Sequence, residues 1–337
     1  LGVGQAQYSY LLDPDGNVLD DIFIYKRADD RYMVVVNAAN REKVRAWFDE
    51  VNGRRCLIDR ENPTMVVDET ATVRDLTSAD AGDDARVDLA LQGPQSPAIL
   101  MEALEDDEAR LRLQRLRRTE FFETRLAGVE ALISRTGYTG EPLGFEIYLH
   151  PAEVPRVWAT LLERGEARGI RPCGLAARDS TRIEAGFPLY GHELAGEWRI
   201  SPMGAGYASF VKLHKPFFIG RRALMRAEEG RSEVVVRFRM DERGIRMLRT
   251  GDPVVDRRGE CIGRVTSCTA VDGRQIGMAY VRRSHAGEGT PIAVFPSSRG
   301  GEVASATDVS ALAPGDRVAL AERGTVVERF MMTRSGM

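Results

Sequence analysis

Two segments in the middle of the chain most constrain the fold, because both have the composition of β-strands and they flank a glycine-containing turn. They are residues 129–135 and 144–149. The second segment alternates in polarity, and its apolar residues are Phe145, Ile147 and Leu149. Successive side chains of a strand point to opposite faces, so burial of these residues leaves Glu146 and Tyr148 on the other face. Glu146 is therefore the first candidate for a binding residue.

The turn between the two segments, residues 137–141, reads Gly-Tyr-Thr-Gly-Glu. Its glycines permit positive φ angles, and the ring of Tyr138 between them is in a position to stack on a flat ligand. Turns of this composition also occur without a ligand, so a structural role and a binding role are both open.

Two helices are predicted after the second segment. Apolar residues recur at helical spacing over residues 154–162, which is typical of a helix that packs on a sheet. In the next helix Arg178, Asp179 and Arg182 share a face through their spacing of three and four residues. Such a face is more often solvated, or held by an internal Arg–Asp pair, than part of a binding site.

Two neighbouring aspartates occur near the start of the chain. The Asp-Pro-Asp-Gly turn at residues 13–16 predicts a hairpin whose second strand spans residues 18–25. Alternation places Asp20 and Asp21 on opposite faces of this strand, each otherwise mainly apolar. A carboxylate among apolar neighbours is costly unless it is paired, and its pKa tends to rise. Either the aspartates are functional acids, or they are strand-end groups satisfied by backbone N–H groups or arginines.

Composition excludes several classes of protein. A chain of 337 residues with 43% hydrophobic content can bury more than one core, which predicts two or more domains. The net charge of −3 argues against a general nucleic-acid binder. No apolar run approaches the roughly 18 residues of a membrane span. The cysteines and histidines are scattered without the spacing of metal ligands, so no metal site is predicted. Separated cysteines without a recognisable signal peptide predict a cytoplasmic protein.

Three motifs together carry a family resemblance. RTGYTGE, the Gly-Phe-Glu-Ile that follows it, and GLAARDSTRIEAGFPLYGHEL resemble the tetrahydrofolate-binding core of the glycine cleavage T-protein (aminomethyltransferase) family. The resemblance covers nearly the whole chain and implies an α/β protein of the α+β type. A folate-binding domain of antiparallel sheets with covering helices is expected at residues 1–230, and a C-terminal β-barrel domain at 231–337. It also leads us to expect that an N-terminal part of the family's first domain is missing here.

The resemblance assigns roles to individual residues. Asp21 matches the carboxylate beside the reactive N5 end of the folate, and it is the expected catalytic residue. The expected cofactor-binding residues are Tyr8, Tyr25, Asn37, Tyr138, Glu146, Arg178 and Arg249. Of these, Glu146 is expected to accept hydrogen bonds from the aminopterin ring. Asn37 is equally well explained as a strand-terminating turn residue, whereas for Arg249 the role of a surface arginine of the barrel is slightly favoured.

Two departures from the family pattern bear on the reaction. The turn before Glu146 is one residue longer than usual, and Gly204 stands where the family commonly has Glu. A predicted variable insertion covers residues 305–320.

The leading hypothesis is a tetrahydrofolate-dependent aminomethyltransferase that takes a one-carbon unit from a lipoylated glycine cleavage H-protein and releases ammonia.

Two other functions occur among proteins with this folate-binding core. The alternative is a tetrahydrofolate-dependent demethylase of a small O-, S- or N-methylated substrate. The retained Asp20-Asp21 pair favours the aminomethyltransferase, because some demethylase relatives have lost it. A non-catalytic folate-binding module, as in the iron–sulfur assembly relatives, is discounted because residues 211–222 lack the cysteine of their signature.

Overall fold

The computed structural model describes residues 1–296 and 321–331, so the predicted insertion at 305–320 lies outside the described residues. The chain divides into two compact units. The first unit comprises residues 1–175 and 217–221, and the second comprises residues 176–216 and 222–337. The domain boundary near residue 230 stays a prediction.

The first unit begins with a three-stranded antiparallel sheet in the order β1-β2-β3. Its strands are β1 (Gln5–Leu12), β2 (Val18–Ala28) and β3 (Arg31–Val35). The predicted hairpin is confirmed: the Asp13 carboxylate accepts from the backbone N–H groups of Asp15 and Asn17, which closes the turn between β1 and β2. Helix α1 (Arg41–Asn52) follows the sheet.

A four-stranded antiparallel sheet in the order β4-β7-β6-β5 forms the rest of the first unit with three helices. The strands are β4 (Val87–Gln92), β5 (Phe121–Leu126), β6 (Val129–Ser134) and β7 (Gly144–Leu149). The helices are α2 (Ser96–Ala103), α3 (Asp107–Arg115) and α4 (Val154–Gly165).

The two faces of this second sheet are buried differently. Its helix-covered face contributes Phe145, Ile147 and Leu149 to a core with residues such as Leu100 and Val157. The opposite face contributes Leu132 and Tyr148 to a smaller cluster with Tyr25 and Met33 of the three-stranded sheet. The alternation read from the sequence of β7 is therefore confirmed, and Glu146 lies on the face that meets the three-stranded sheet.

The second unit contains helices α5 (Leu175–Ala185) and α6 (Arg221–Glu229) and a closed barrel, although the first residue of α5 and of α6 belongs to the first unit. The barrel order is β10-β11-β8-β13-β12-β9. Its strands are β8 (Glu233–Arg243), β9 (Pro253–Val255), β10 (Cys261–Val271), β11 (Arg274–Arg282), β12 (Pro291–Val294) and β13 (Glu322–Val327). The predicted C-terminal barrel and the mixed helix and antiparallel-sheet fold are confirmed. In the part of the chain that the structure describes, no helix has both the length and the apolar character to cross a bilayer.

Candidate active site

One face of the three-stranded sheet carries a buried tyrosine–aspartate pair. Tyr8 of β1 lies opposite Phe23 of β2, and Asp21 is two residues before Phe23, so both side chains project from the same face. The Tyr8 hydroxyl donates to Asp21 Oδ2 at 3.0 Å. Tyr8 is 7% and Asp21 9% exposed, so this contact is shielded from water.

Burial controls the protonation of this pair. It raises the pKa of the Asp21 carboxyl above its ordinary value, and the hydrogen bond from Tyr8 lowers that pKa only in part. Burial also raises the pKa of the Tyr8 phenol, so the phenol keeps its proton and donates it in the hydrogen bond. When it is ionised, the Asp21 carboxylate is a charge in a poorly solvated place, where it acts more strongly on a nearby cation than it would in water.

Asp20 lies on the opposite face of β2 and is fully buried. Its carboxylate accepts from the backbone N–H of Asn37 at 2.9 Å, the Asn37 amide at 2.7 Å and the Asn40 amide at 2.6 Å. Burial raises its pKa, against the effect of these donors. For Asp20 the structural interpretation therefore holds, since backbone and amide N–H groups satisfy it.

Asn37 joins the two aspartates. It immediately precedes the 3₁₀ turn Ala38–Asn40, and its side-chain Nδ2 also donates to Asp21 Oδ1 at 2.9 Å. The turn interpretation of Asn37 is therefore correct, and the residue in addition holds the oxygen of the Asp21 carboxylate that Tyr8 does not contact.

Glu146 of β7 is fixed by three hydroxyl groups on one of its oxygens. Its Oε2 accepts from Tyr25 at 3.1 Å, from Tyr148 at 3.2 Å and from the Thr136 hydroxyl through a short hydrogen bond. Among the described residues, no protein group donates to its other oxygen, Oε1. The carboxylate is therefore held in one orientation with one oxygen available to a ligand.

The glycine-containing turn is braced by Gln92 at the end of β4. Gln92 donates to the carbonyl of Phe145 at 3.1 Å and accepts from the Thr139 hydroxyl at 3.0 Å. Gly140 has a φ of 88°, which favours glycine, and a Cβ at Gly144 would displace the Gln92 amide from this brace. The ring of Tyr138 lies parallel to that of Tyr8, with a centroid separation of 5.9 Å and an interplanar angle of 4°.

These contacts bring together most of the predicted residues within the first unit: Tyr8, Asp21, Tyr25, Asn37, Tyr138 and Glu146. Arg178 and Arg249 belong to the second unit, and both are exposed. Arg178 lies on α5, and Arg249 lies in the loop between β8 and β9, where its backbone N–H donates to Asp252 at 2.8 Å.

Comparison with known proteins decides the family. Residues 1–215 match the GCVT N-terminal domain, and residues 234–309 match the glycine cleavage T-protein C-terminal barrel domain. The chain belongs to the glycine cleavage T-protein family. The family predicted from the motifs is therefore confirmed.

Individual members of the T-protein family are similar over most of the chain. An aminomethyltransferase from Streptomyces avermitilis is 40% identical over 297 residues, which are 86% of this chain and 72% of that protein. One from Rubrobacter xylanophilus is 42% identical over 285 residues, or 83% and 67% of the two chains. The crystal structure of glycine cleavage system aminomethyltransferase T from Bartonella henselae is 29% identical, with a TM-score of 0.70, and the match covers 97% of this chain and 76% of that one.

Sequence reasoning missed three residues that support the site of this T-protein family member. Thr136 fixes Glu146, Tyr148 does so from the same strand, and Asn40 completes the shell of donors around Asp20. A signal for Tyr148 was present, because β-strand alternation places it on the same face as Glu146. No local signal identifies Thr136 or Asn40, since both lie outside the strands that carry their partners, Glu146 and Asp20.

Proposed function

We propose that this protein is a tetrahydrofolate-dependent aminomethyltransferase of the glycine cleavage type. In the proposed reaction, the aminomethyl group on the lipoyl arm of a carrier protein loses ammonia, and its one-carbon unit passes to N5 of tetrahydrofolate. The proposed compartment is the cytoplasm, in keeping with four cysteines that are all free.

The observation that carries the proposal is that the first unit holds two carboxylates, each fixed by hydrogen bonds, on those faces of its two sheets that meet at Tyr25 and Tyr148. Glu146 is oriented by three hydroxyl groups and keeps Oε1 for a ligand, where it can accept a hydrogen bond from an N–H group of an aminopterin ring. Asp21 is buried and held from two sides, by Tyr8 and Asn37. These features fit a folate whose pterin end contacts Glu146 and whose N5 lies near Asp21.

The protein's contribution to the reaction is positioning and electrostatic stabilisation. Glu146 orients the pterin, Tyr8 and Asn37 hold the Asp21 carboxylate in place, and Asp21 stabilises the positive charge that develops as ammonia leaves. Tetrahydrofolate supplies the accepting nitrogen. Arg178 and Arg249 are proposed to be folate-binding residues, as the family resemblance implies.

The test compares two kinds of one-carbon donor. Protein and tetrahydrofolate are incubated either with an aminomethyl-loaded lipoyl carrier protein or with a panel of O-, S- and N-methylated small molecules, and the folate products are separated by chromatography. We expect methylene-tetrahydrofolate and ammonia from the carrier only. Methyl-tetrahydrofolate from a small donor, with no product from the carrier, would replace the proposal with the demethylase.

The Glu146→Ala variant is expected to bind tetrahydrofolate tens of times more weakly. Loss of a charge-assisted hydrogen-bonding partner costs on the order of 2 kcal/mol, which corresponds to that change in Kd. Isothermal titration calorimetry measures the effect. Glu130→Ala removes an exposed glutamate from the adjacent strand and serves as the control, with unchanged affinity expected. Equal affinities for both variants would remove Glu146 from the binding site.

The acid limb of the pH–rate profile should report Asp21. Because burial raises its pKa, Asp21 becomes protonated and loses its charge at a higher pH than an ordinary Asp, whose pKa is about 3.9. We expect kcat/KM to fall with decreasing pH at a midpoint above that value, and the limb to be absent from the residual activity of Asp21→Asn. A limb that is unchanged in the variant would assign it to another group.

The contribution of Asp20 and Asp21 to the free energy of unfolding should change with pH in the opposite direction to the rate, becoming larger as the pH falls. A folded-state pKa raised above the unfolded value means that the folded protein binds the proton more tightly. The contribution of Asp20 and Asp21 to the free energy of unfolding is therefore fully present below about pH 3.9, and it is lost as the pH rises through their raised folded-state values.

A further inference from the structure

A buried ion pair lies in the second unit. Glu193 is 0% exposed and Arg182 of α5 is 1% exposed. Glu193 Oε2 accepts from Arg182 Nη1 at 2.6 Å and from the backbone N–H of Leu189 at 3.1 Å. Its Oε1 accepts a short hydrogen bond from the hydroxyl of Ser267 on β10. Both oxygens of the carboxylate are therefore satisfied, as the burial of a charge requires.

On the helix side, this pair fixes α5. Arg182 also donates through Nε to Asp179 at 2.8 Å and through Nη1 to the carbonyl of Phe187 at 3.3 Å. Arg178 is four residues before Arg182, so the two lie on the same helix face, one turn apart. The contacts of Arg182 fix the rotation of α5 about its axis. They therefore also fix the direction in which the Arg178 side chain leaves the helix.

On the barrel side, the pair is anchored at a β-bulge. The register between β10 and β11 shifts between Val265 and Ser267, which leaves Thr266 as the extra residue. The Thr266 carbonyl accepts from the Thr250 hydroxyl at 2.9 Å and contacts His192 Nδ1 at 3.3 Å. Bulges reorient side chains and free backbone groups from strand pairing. This bulge thereby holds the turn that carries Glu193 and the loop that carries Arg249, the residue next to Thr250.

We propose that Glu193 is a positioning residue for folate binding, which acts by bridging Ser267 to Arg182 and so sets the direction of Arg178. The proposal rests on the proposed function, because that function makes Arg178 a ligand-binding residue. Glu193 itself does not touch the ligand. Its effect should therefore reach tetrahydrofolate only through Arg178.

The first measurement separates KM from kcat. Glu193→Gln keeps the shape of the side chain but removes the charge that pairs with Arg182. We expect KM and Kd for tetrahydrofolate to rise about tenfold while kcat changes less than about twofold, because a binding group rather than a reacting group is displaced. Glu197→Gln, an exposed glutamate in the same segment, is the control and should change neither value.

The second measurement is a double-mutant cycle with Arg178→Ala on the Kd for tetrahydrofolate. If Glu193 acts through Arg178, Glu193→Gln has no further effect in the Arg178→Ala background, and the double variant binds like Arg178→Ala alone. Effects that multiply would overturn the proposal and leave Glu193 with a general structural role. Thermal melts check folding, and the milder Ser267→Ala variant takes the place of Glu193→Gln in the same cycle should the latter not fold.

Two other results are also decisive. If the unaltered protein does not bind tetrahydrofolate, the proposed function fails and this inference fails with it. If the unaltered protein binds and Arg178→Ala binds equally well, the inference alone is overturned, while the proposed function keeps its support from Glu146 and Asp21.

Discussion

The Asp21→Asn variant is expected to turn over about a hundredfold or more slowly, with little change in its affinity for tetrahydrofolate. The substitution keeps the shape of the side chain and removes its charge. Preorganised charges that act on the transition state in a poorly solvated site are typically worth such factors. A loss in kcat without a loss in affinity is the expected signature of an interaction that is made mainly in the transition state.

The contacts of Asp21 explain why its geometry should survive this change. An asparagine oxygen can still accept from the Tyr8 hydroxyl, which now contacts Asp21 Oδ2 at 3.0 Å. The Asn37 amide, which donates to Oδ1, then loses an acceptor, but it also donates to Asp20. Steady-state kinetics and calorimetry on the same preparation measure the two effects separately.

The Asp20→Asn variant, in contrast, should lose about 2 kcal/mol of unfolding free energy. Asp20 is fully buried and accepts from three N–H groups. An asparagine in its place turns an N–H group toward at least one of these donors, and a hydrogen bond to a charged group is worth about 1.5–3 kcal/mol. Removing a buried charge offsets part of this loss, because burial already disfavours the ionised form of Asp20.

Urea denaturation tests this prediction through a lower midpoint at an unchanged slope. The two asparagine variants serve as controls for each other, since the aspartates are adjacent and point to opposite faces of β2. Normal turnover in Asp21→Asn together with lost turnover in Asp20→Asn would show that the catalytic carboxylate is Asp20 and not Asp21. If neither variant loses turnover, the electrostatic role should be abandoned.

The parts of the site that the sequence predicted are those that depend on local geometry. Strand alternation has a period of two residues. It therefore placed Asp20 and Asp21 on opposite faces of one strand, and Glu146 and Phe145 on opposite faces of another, without any knowledge of the fold. Turn chemistry did the same for the hairpin between β1 and β2, because the Asp-Pro-Asp-Gly sequence carries its own hydrogen-bond acceptor.

The parts that sequence reasoning missed depend on contacts between distant segments. Tyr25 and Thr136 are 111 residues apart, and Ser267 and Glu193 are 74 apart, so no window of sequence contains both partners. The brace from Gln92 to Thr139 spans 47 residues. The helix face with Arg178 and Arg182 was predicted only in part. Its spacing fits an internal Arg–Asp pair, and the structure contains that pair, but nothing local identifies Glu193 as the second partner of Arg182.

The central claim is that Tyr8 and Asp21 of the three-stranded sheet and Glu146 of the four-stranded sheet together bind the pterin of tetrahydrofolate, with N5 at Asp21. The most direct measurement is a crystal structure of the protein with tetrahydrofolate bound. We expect the aminopterin N–H groups to lie about 2.7–3.2 Å from the Glu146 carboxylate, which is hydrogen-bond distance, and N5 to be the pterin atom nearest the Asp21 carboxylate. A pterin bound elsewhere, or bound with N5 directed away from Asp21, would contradict the account.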